Sequence, residues 1–291
     1  MKNPLSHFLF RSGAGASFAL ALSLTACTEK KPEPPVATLP PTTEVNAEVR
    51  DYSQYTELVW ADEFTGGAID AAKWSYDTGG GGWGNNELEY YTTSAENSFI
   101  DNGNLVIQAK QQTQGGNSYT SARMLTKGKQ NFKFGRVDVR AKLPKGQGIW
   151  PAIWMLGSDI DQNNWPICGE IDMMELRGQE PNKFLTTMHF GTSFADHRQK
   201  GAPDQVLPAG NFSDAFHTFS VVRGKDQIRF FLDGALYYTF TSSDASPYPF
   251  NNPFFVVLNV AVGGNFLGSP NASTVFPQQM QVDYVRYYQY K

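Results

Sequence analysis

Apolar and polar residues alternate along most of this chain with a period of two. Phe134 to Leu143 is the clearest stretch: Val137, Val139, Ala141 and Leu143 fall on one face, and Arg136, Asp138, Arg140 and Lys142 on the other. That period belongs to a half-buried strand. Ile228 to Leu232 and Leu236 to Phe240 flank Asp233-Gly234, and this pattern predicts a hairpin with a type I′ turn. Phe254 to Val262 is almost wholly apolar, as expected of a strand buried on both faces. Val282 to Tyr290 reads as an aromatic terminal strand, and no stretch shows a convincing helical period. Many strands with regular turns predict an all-β, two-sheet sandwich over residues 57–291, curved enough to offer a concave face to a polymer.

The first 56 residues differ in kind. Lys2 and Arg11 precede an apolar stretch from Ala16 to Leu24, followed by Leu24-Thr25-Ala26-Cys27. The stretch is too short for a stable transmembrane helix and reads as a lipoprotein signal peptide over residues 1–26, with Cys27 as the lipidated residue. Residues 27–56 are rich in Pro and Thr and read as a tether. An exported lipoprotein at the outer membrane or cell surface is therefore expected, its membrane partner reached through the lipid. Cys168 then has no disulfide partner. It lies two residues before Glu170, which suits either a nucleophilic role or the commoner buried, structural one.

Composition narrows the class. The 291 residues are 41% hydrophobic and 14% aromatic, enough for a large core with aromatics to spare for a surface. Net charge is −4, which gives no electrostatic case for nucleic acid, and nothing points to an oligomer, so a monomer is expected.

Chemistry concentrates in Gly169-Glu170-Ile171-Asp172-Met173-Met174-Glu175. In a regular strand Glu170 and Asp172 share a face and Glu175 points to the other. One extra residue among Asp172, Met173 and Met174, a β-bulge, returns Glu175 to the first face. Glu170 and Glu175 would then stand roughly 13 Å apart at Cα, and leaning side chains could bring the carboxyl groups to about 5–6 Å, the range of a retaining glycosidase. Three readings compete: catalysis, a calcium site, and a solvated strand face. Acids interleaved with Ile171, Met173 and Met174 lie in a strand rather than a Gly/Asn loop, which tells against calcium. Nearby Trp83, Trp150, Trp154 and Trp165 supply the flat apolar faces on which sugars stack, whereas Trp60 and Trp74 read as core.

Several stretches taken in order resemble the bacterial laminarinase-like group of glycoside hydrolase family 16. They are Val59 to Phe64, Trp83 to Thr92, Phe134-Gly135-Arg136, Trp150 to Leu156, Gly169 to Glu175 and Val282 to Tyr288. The resemblance implies a concanavalin A-like β-jelly roll with a substrate cleft and endo-acting, retaining hydrolysis of β-1,3-glucan, with no cofactor for catalysis. Other β-glucans, agarose- or carrageenan-type galactans, and a non-catalytic glycan-binding surface protein are the alternatives. By matching position it implies Glu170 as nucleophile, Asp172 as its assistant and Glu175 as acid/base. Trp83, Asn86, Trp150, Trp154 and His189 are the implied substrate-binding residues, although His189 also suits a satisfied core position. A structural Ca²⁺ on the convex side, held by Glu63, Asp283 and a carbonyl near Gly103, is implied as well. Residues 191–208, with His197, Arg198 and Lys200, match no part of the pattern and read as a specificity loop.

Overall fold

The alternating stretches become strands because each has one apolar face to bury. The structure, a computed structural model, describes residues 47–291. The signal peptide, Cys27 and most of the proposed tether lie outside these residues. Two eight-stranded antiparallel sheets pack face to face, joined by a two-stranded parallel ribbon. Helix among the described residues is confined to three short 3₁₀ turns. The expected all-β sandwich is therefore observed, and the Asp233-Gly234 hairpin forms with φ of 49° and 80° at the two turn residues, as a type I′ turn requires.

One sheet places the strands Arg198–Gly201, Lys183–Phe190, Glu170–Leu176, Ile149–Gly157 and Phe254–Val262 side by side in that order. In Lys183–Phe190 burial alternates strictly: Phe184, Thr186, Met188 and Phe190 face the core, and Lys183, Leu185, Thr187 and His189 face out. Phe254–Val262 is buried at every position. Val256, Leu258, Val260 and Val262 enter the inter-sheet core. Phe255 and Val257 cover a second cluster on the opposite face with Leu125, Leu156 and Cys168. This strand needs two apolar faces because both sides of its sheet are covered.

The other sheet carries Gly135–Lys142 near its centre. Its Val137, Val139 and Ala141 point inward as the alternation predicted. Asp138, expected on an open polar face, is 4% exposed. Residues 47–56 cover it. The Tyr52 carbonyl accepts from Arg136 Nη1 (2.7 Å), and the Tyr52 hydroxyl reaches Asp138 and Ser220 at 3.5 and 3.4 Å. Val49, Tyr52 and Tyr55 pack with Val222, Phe231 and Tyr290. The folded body thus begins by Ala47, not at residue 57. The Pro/Thr composition that marks a tether ends near Val45, and the tyrosines after it carry enough apolar area to hold the segment down.

Candidate active site

Strand pairing shows the bulge directly. Asp172 pairs with Trp154, and Met174 with Ile153, so two steps on one strand meet one on the other. On the opposite side Asp172 pairs with Thr187 and Glu175 with Leu185, again with one residue in excess. Met173 and Met174 consequently both point into the core, at 1% and 0% exposure. Glu170, Asp172 and Glu175 share the outer face and line one cleft of about 770 Å³. Gly169 begins the acidic strand at φ 80°, and a Cβ there would stand 2.7 Å from Pro249, so only glycine admits this entry to the strand.

The three carboxyls sit among few donors. Trp150 Nε1–H donates to Glu175 Oε1 at 3.1 Å. His189 Nε2 lies 3.1 Å from Asp172 Oδ2 and 3.8 Å from Glu170 Oε1. The approach to Asp172 is off the hydrogen-bond direction, leaving Oδ2 buried without an aligned partner. Burial, and then the charge of Asp172, pushes both Glu170 and Glu175 up to about 8. Burial alone holds Asp172 well above the ordinary range. These acids ionise as a unit. The Asp172–Glu170 pair faces His189, and the charge of Asp172 disfavours one on Glu175, which therefore keeps its proton to higher pH.

Asp172 is the carboxylate that raises Glu175, so Asp172→Asn should move the alkaline limb of kcat/KM to lower pH by on the order of one unit. A limb that stays near pH 8 while activity persists would place the pair's charge on Glu170 instead.

The flanks of the cleft extend to both sides of the acidic strand. On one side Trp154 Nε1–H donates to Asn259 Oδ1 (2.7 Å), Asn259 Nδ2 donates to the Tyr91 hydroxyl (3.0 Å), and that hydroxyl donates to Glu87 Oε2 (3.1 Å). Arg123 lies between the rings of Trp83 and Trp154, 4.9 and 4.7 Å from their centroids, and pairs with Asp77 at 3.1 Å. Trp83 adopts φ 48° in a glycine-rich turn, where a Cβ on Gly82 would stand 3.1 Å from Asn86 Cα. On the other side Trp165 packs on His197, Phe194 and His189 at 4.5, 5.7 and 6.1 Å between ring centroids. Phe194 is 78% exposed.

Trp83, Trp150, Trp154 and His189 line the cleft, and Trp74 is core, with its Nε1–H on Asp62. Asn86 does not line it. Asn85 does, while Asn86 donates to Asn265 Oδ1 from an exposed position. The φ of 57° at Asn86 turns the chain so that its neighbour, not Asn86, faces the cleft. Cys168 is fully buried in the second cluster, its thiol pushed up to about 12 by burial, which rules out a nucleophilic role. Trp165 lines the cleft too, and Arg123, Glu87 and Asn259 are cleft residues to which sequence reading gave no role.

The implied calcium set is not assembled as an oxygen cage. Both Glu63 oxygens accept from Arg286 at 2.8 Å, and Asp283 Oδ2 pairs with Arg140 at 2.5 Å. As arranged, guanidinium groups hold both Glu63 oxygens and one Asp283 oxygen, and a cation here would have to displace them. Among the described residues, the one group of three acid or histidine ligands close enough for a shared ion is Glu170, Asp172 and His189, in the cleft itself.

Residues 85–286 match the model of glycosyl hydrolases family 16. The chain belongs to this family. It is 43% identical over 257 residues to glucan endo-1,3-beta-glucosidase A1 of Niallia circulans, covering 79% of this chain and 37% of that longer protein. It is 40% identical over 255 residues to a beta-glucanase of Rhodothermus marinus, covering 82% of this chain and 87% of that one. Among solved structures, the laminarinase catalytic domain of Thermotoga maritima superposes with a TM-score of 0.74 at 42% identity, over 81% of this chain and 98% of that domain.

Proposed function

We propose that the protein is a retaining endo-hydrolase of β-1,3-glucan. The bulge at Met173 carries this reading, because it brings Glu170 and Glu175 to one face of a cleft with Asp172 between them. Glu170 attacks the anomeric carbon and forms a glycosyl ester. Glu175 first protonates the departing glycosidic oxygen, then deprotonates the water that cleaves the ester. Asp172 shares the pair's charge and orients Glu170. An internal cut needs sugar contacts on both sides of the acids. Trp83 and Arg123 lie towards one edge of the sheet, and Trp165, Phe194 and His197 towards the other.

The cleft's two arginines are already engaged, Arg123 with Asp77 and Arg177 with Glu180. That leaves little free cation for sulfated galactan and favours a neutral glucan. Supporting names come from the relatives, two of which are an endo-1,3-beta-glucosidase and a laminarinase. Product chromatography on laminarin, mixed-linkage glucan, agarose and carrageenan tests the reading. Short oligosaccharides from laminarin are expected. Cleavage of a galactan alone would overturn the substrate, and inactivity on all four would overturn the enzyme.

We further propose export and lipid anchoring at Cys27. The reading is supported by Lys2 and Arg11, the apolar stretch that follows, and Leu24-Thr25-Ala26-Cys27. Incorporation of labelled palmitate that Cys27→Ser abolishes is the test.

A further inference from the structure

The segment read from the sequence only as a specificity loop, residues 191–208, brings a group to the catalytic centre. His197 follows the short 3₁₀ turn Phe194–Asp196 and lies 2.8 Å, through Nε2, from Nδ1 of His189. The other nitrogen of His189 faces Asp172 and Glu170. The turn is well braced: Ser193 caps Asp196 N–H, and Asp196 Oδ2 accepts from Thr192 N–H and Oγ1–H at 3.0 and 2.7 Å and pairs with Arg198 at 2.9 Å. Trp165 packs at a tilt against the His197 ring, 4.5 Å between centroids.

A single hydrogen lies between the two imidazoles at that distance, so each ring's proton depends on the other. The negative charge of the Asp172–Glu170 pair is best served by a donor, which requires a proton on His189 Nε2. A neutral His189 meets that demand if its Nδ1 accepts, and His197 Nε2–H is the group positioned to donate to it. The charged groups around the pair are Asp172 and Glu170 across the sheet and Asp196 and Arg198 beside it, and the last two are tied to each other. Burial, and then His189, lowers the basicity of His197.

We propose that His197 is a positioning residue for the reaction: by donating to Nδ1 of His189 it holds the proton on Nε2, the nitrogen that lies 3.1 Å from Asp172 Oδ2 and 3.8 Å from Oε1 of the nucleophile Glu170. Its ring also touches Trp165, so a sugar seated on the Trp165–Phe194 wall presses on the group that sets the state of His189. The kinetic part of this inference rests on the glycoside-hydrolase reading, and the tautomer does not.

The test pairs kinetics with ¹⁵N-histidine NMR on the full-length protein. His197→Phe keeps a ring against Trp165 and deletes the donor. On laminarin it should lower kcat by on the order of 10-fold with KM within about twofold. His197→Gln, which restores a side-chain N–H, should recover most of that loss. The nitrogen shifts of His189 at neutral pH should report Nε2–H in the wild type and a mixture of tautomers in His197→Phe. An Nδ1–H tautomer in the wild type overturns the proposal without reference to any substrate. So does a His197→Phe variant with wild-type kcat, or with a raised KM alone, which would make His197 a sugar contact. A wild type inactive on laminarin defeats the substrate reading and leaves the tautomer result standing.

Discussion

Glu170→Ser is expected to abolish hydrolysis of laminarin, lowering kcat by on the order of 10⁴-fold or more, while laminari-oligosaccharides should still bind. The two effects separate because the sugar-binding surface is built elsewhere. Trp83, Trp154 and Trp165 are held by Gly79, Asn259 and His197, none of which touches Glu170. The serine removes the only group placed to form the covalent ester and relieves a desolvated carboxyl, so the fold should tolerate it. Azide offers a further discriminator. In a Glu170→Ala variant it attacks from the vacated side and yields a glycosyl azide of inverted configuration. Residual turnover within a hundredfold of wild type, or a retained azide product, would remove Glu170 from the nucleophile's role.

Glu175→Gln should have the second largest effect. Cleavage of laminarin falls by on the order of 10³-fold, because glutamine has no proton to give a sugar leaving group. Aryl glycosides of laminaribiose, whose phenolate leaves unaided, should lose far less in the first step. The alkaline limb of kcat/KM near pH 8 should vanish, since Glu175 is raised to about that value and is the group that must stay protonated.

Stability should shift in the opposite direction. The folded-state pKa of Glu175 lies above its unfolded value, so the folded protein binds the extra proton. The associated stability is fully present below about pH 4.5 and is lost as pH rises to about 8. Glutamine never has to ionise. The melting temperature of Glu175→Gln should therefore match wild type at pH 4 and exceed it by roughly several degrees at pH 9. Equal melting temperatures at pH 9 would mean that Glu175 is not strained by burial.

Much of this site was legible because its information is local. The bulge is encoded in seven consecutive residues, where two adjacent methionines break the alternation and the acid beyond them rejoins its face. The hairpin at Asp233-Gly234 and the doubly buried strand Phe254–Val262 were legible for the same reason. Contacts closed by the fold were not. Arg123 meets Trp83 and Trp154 only when strands distant in sequence come together, and nothing around Arg123 marks it as a cleft residue. Asn85 and Asn86 are adjacent and chemically identical, and a left-handed residue in the turn decides which faces the sugar. His197 lies in a segment with no periodicity at all, and its role depends on a turn that brings it back over His189. Glu63 and Asp283 could be read as calcium ligands because Arg286 and Arg140, which occupy their oxygens, approach through sheet register and not through spacing in the chain.

Double displacement through Glu170 and Glu175 fixes the anomeric configuration of the first products. Proton NMR of laminarin digestion, recorded within minutes of adding enzyme, should show new reducing ends as the β-anomer, with the α-anomer growing in only as mutarotation proceeds. Initial release of the α-anomer would mean a single displacement by water and would contradict the roles assigned to both carboxylates.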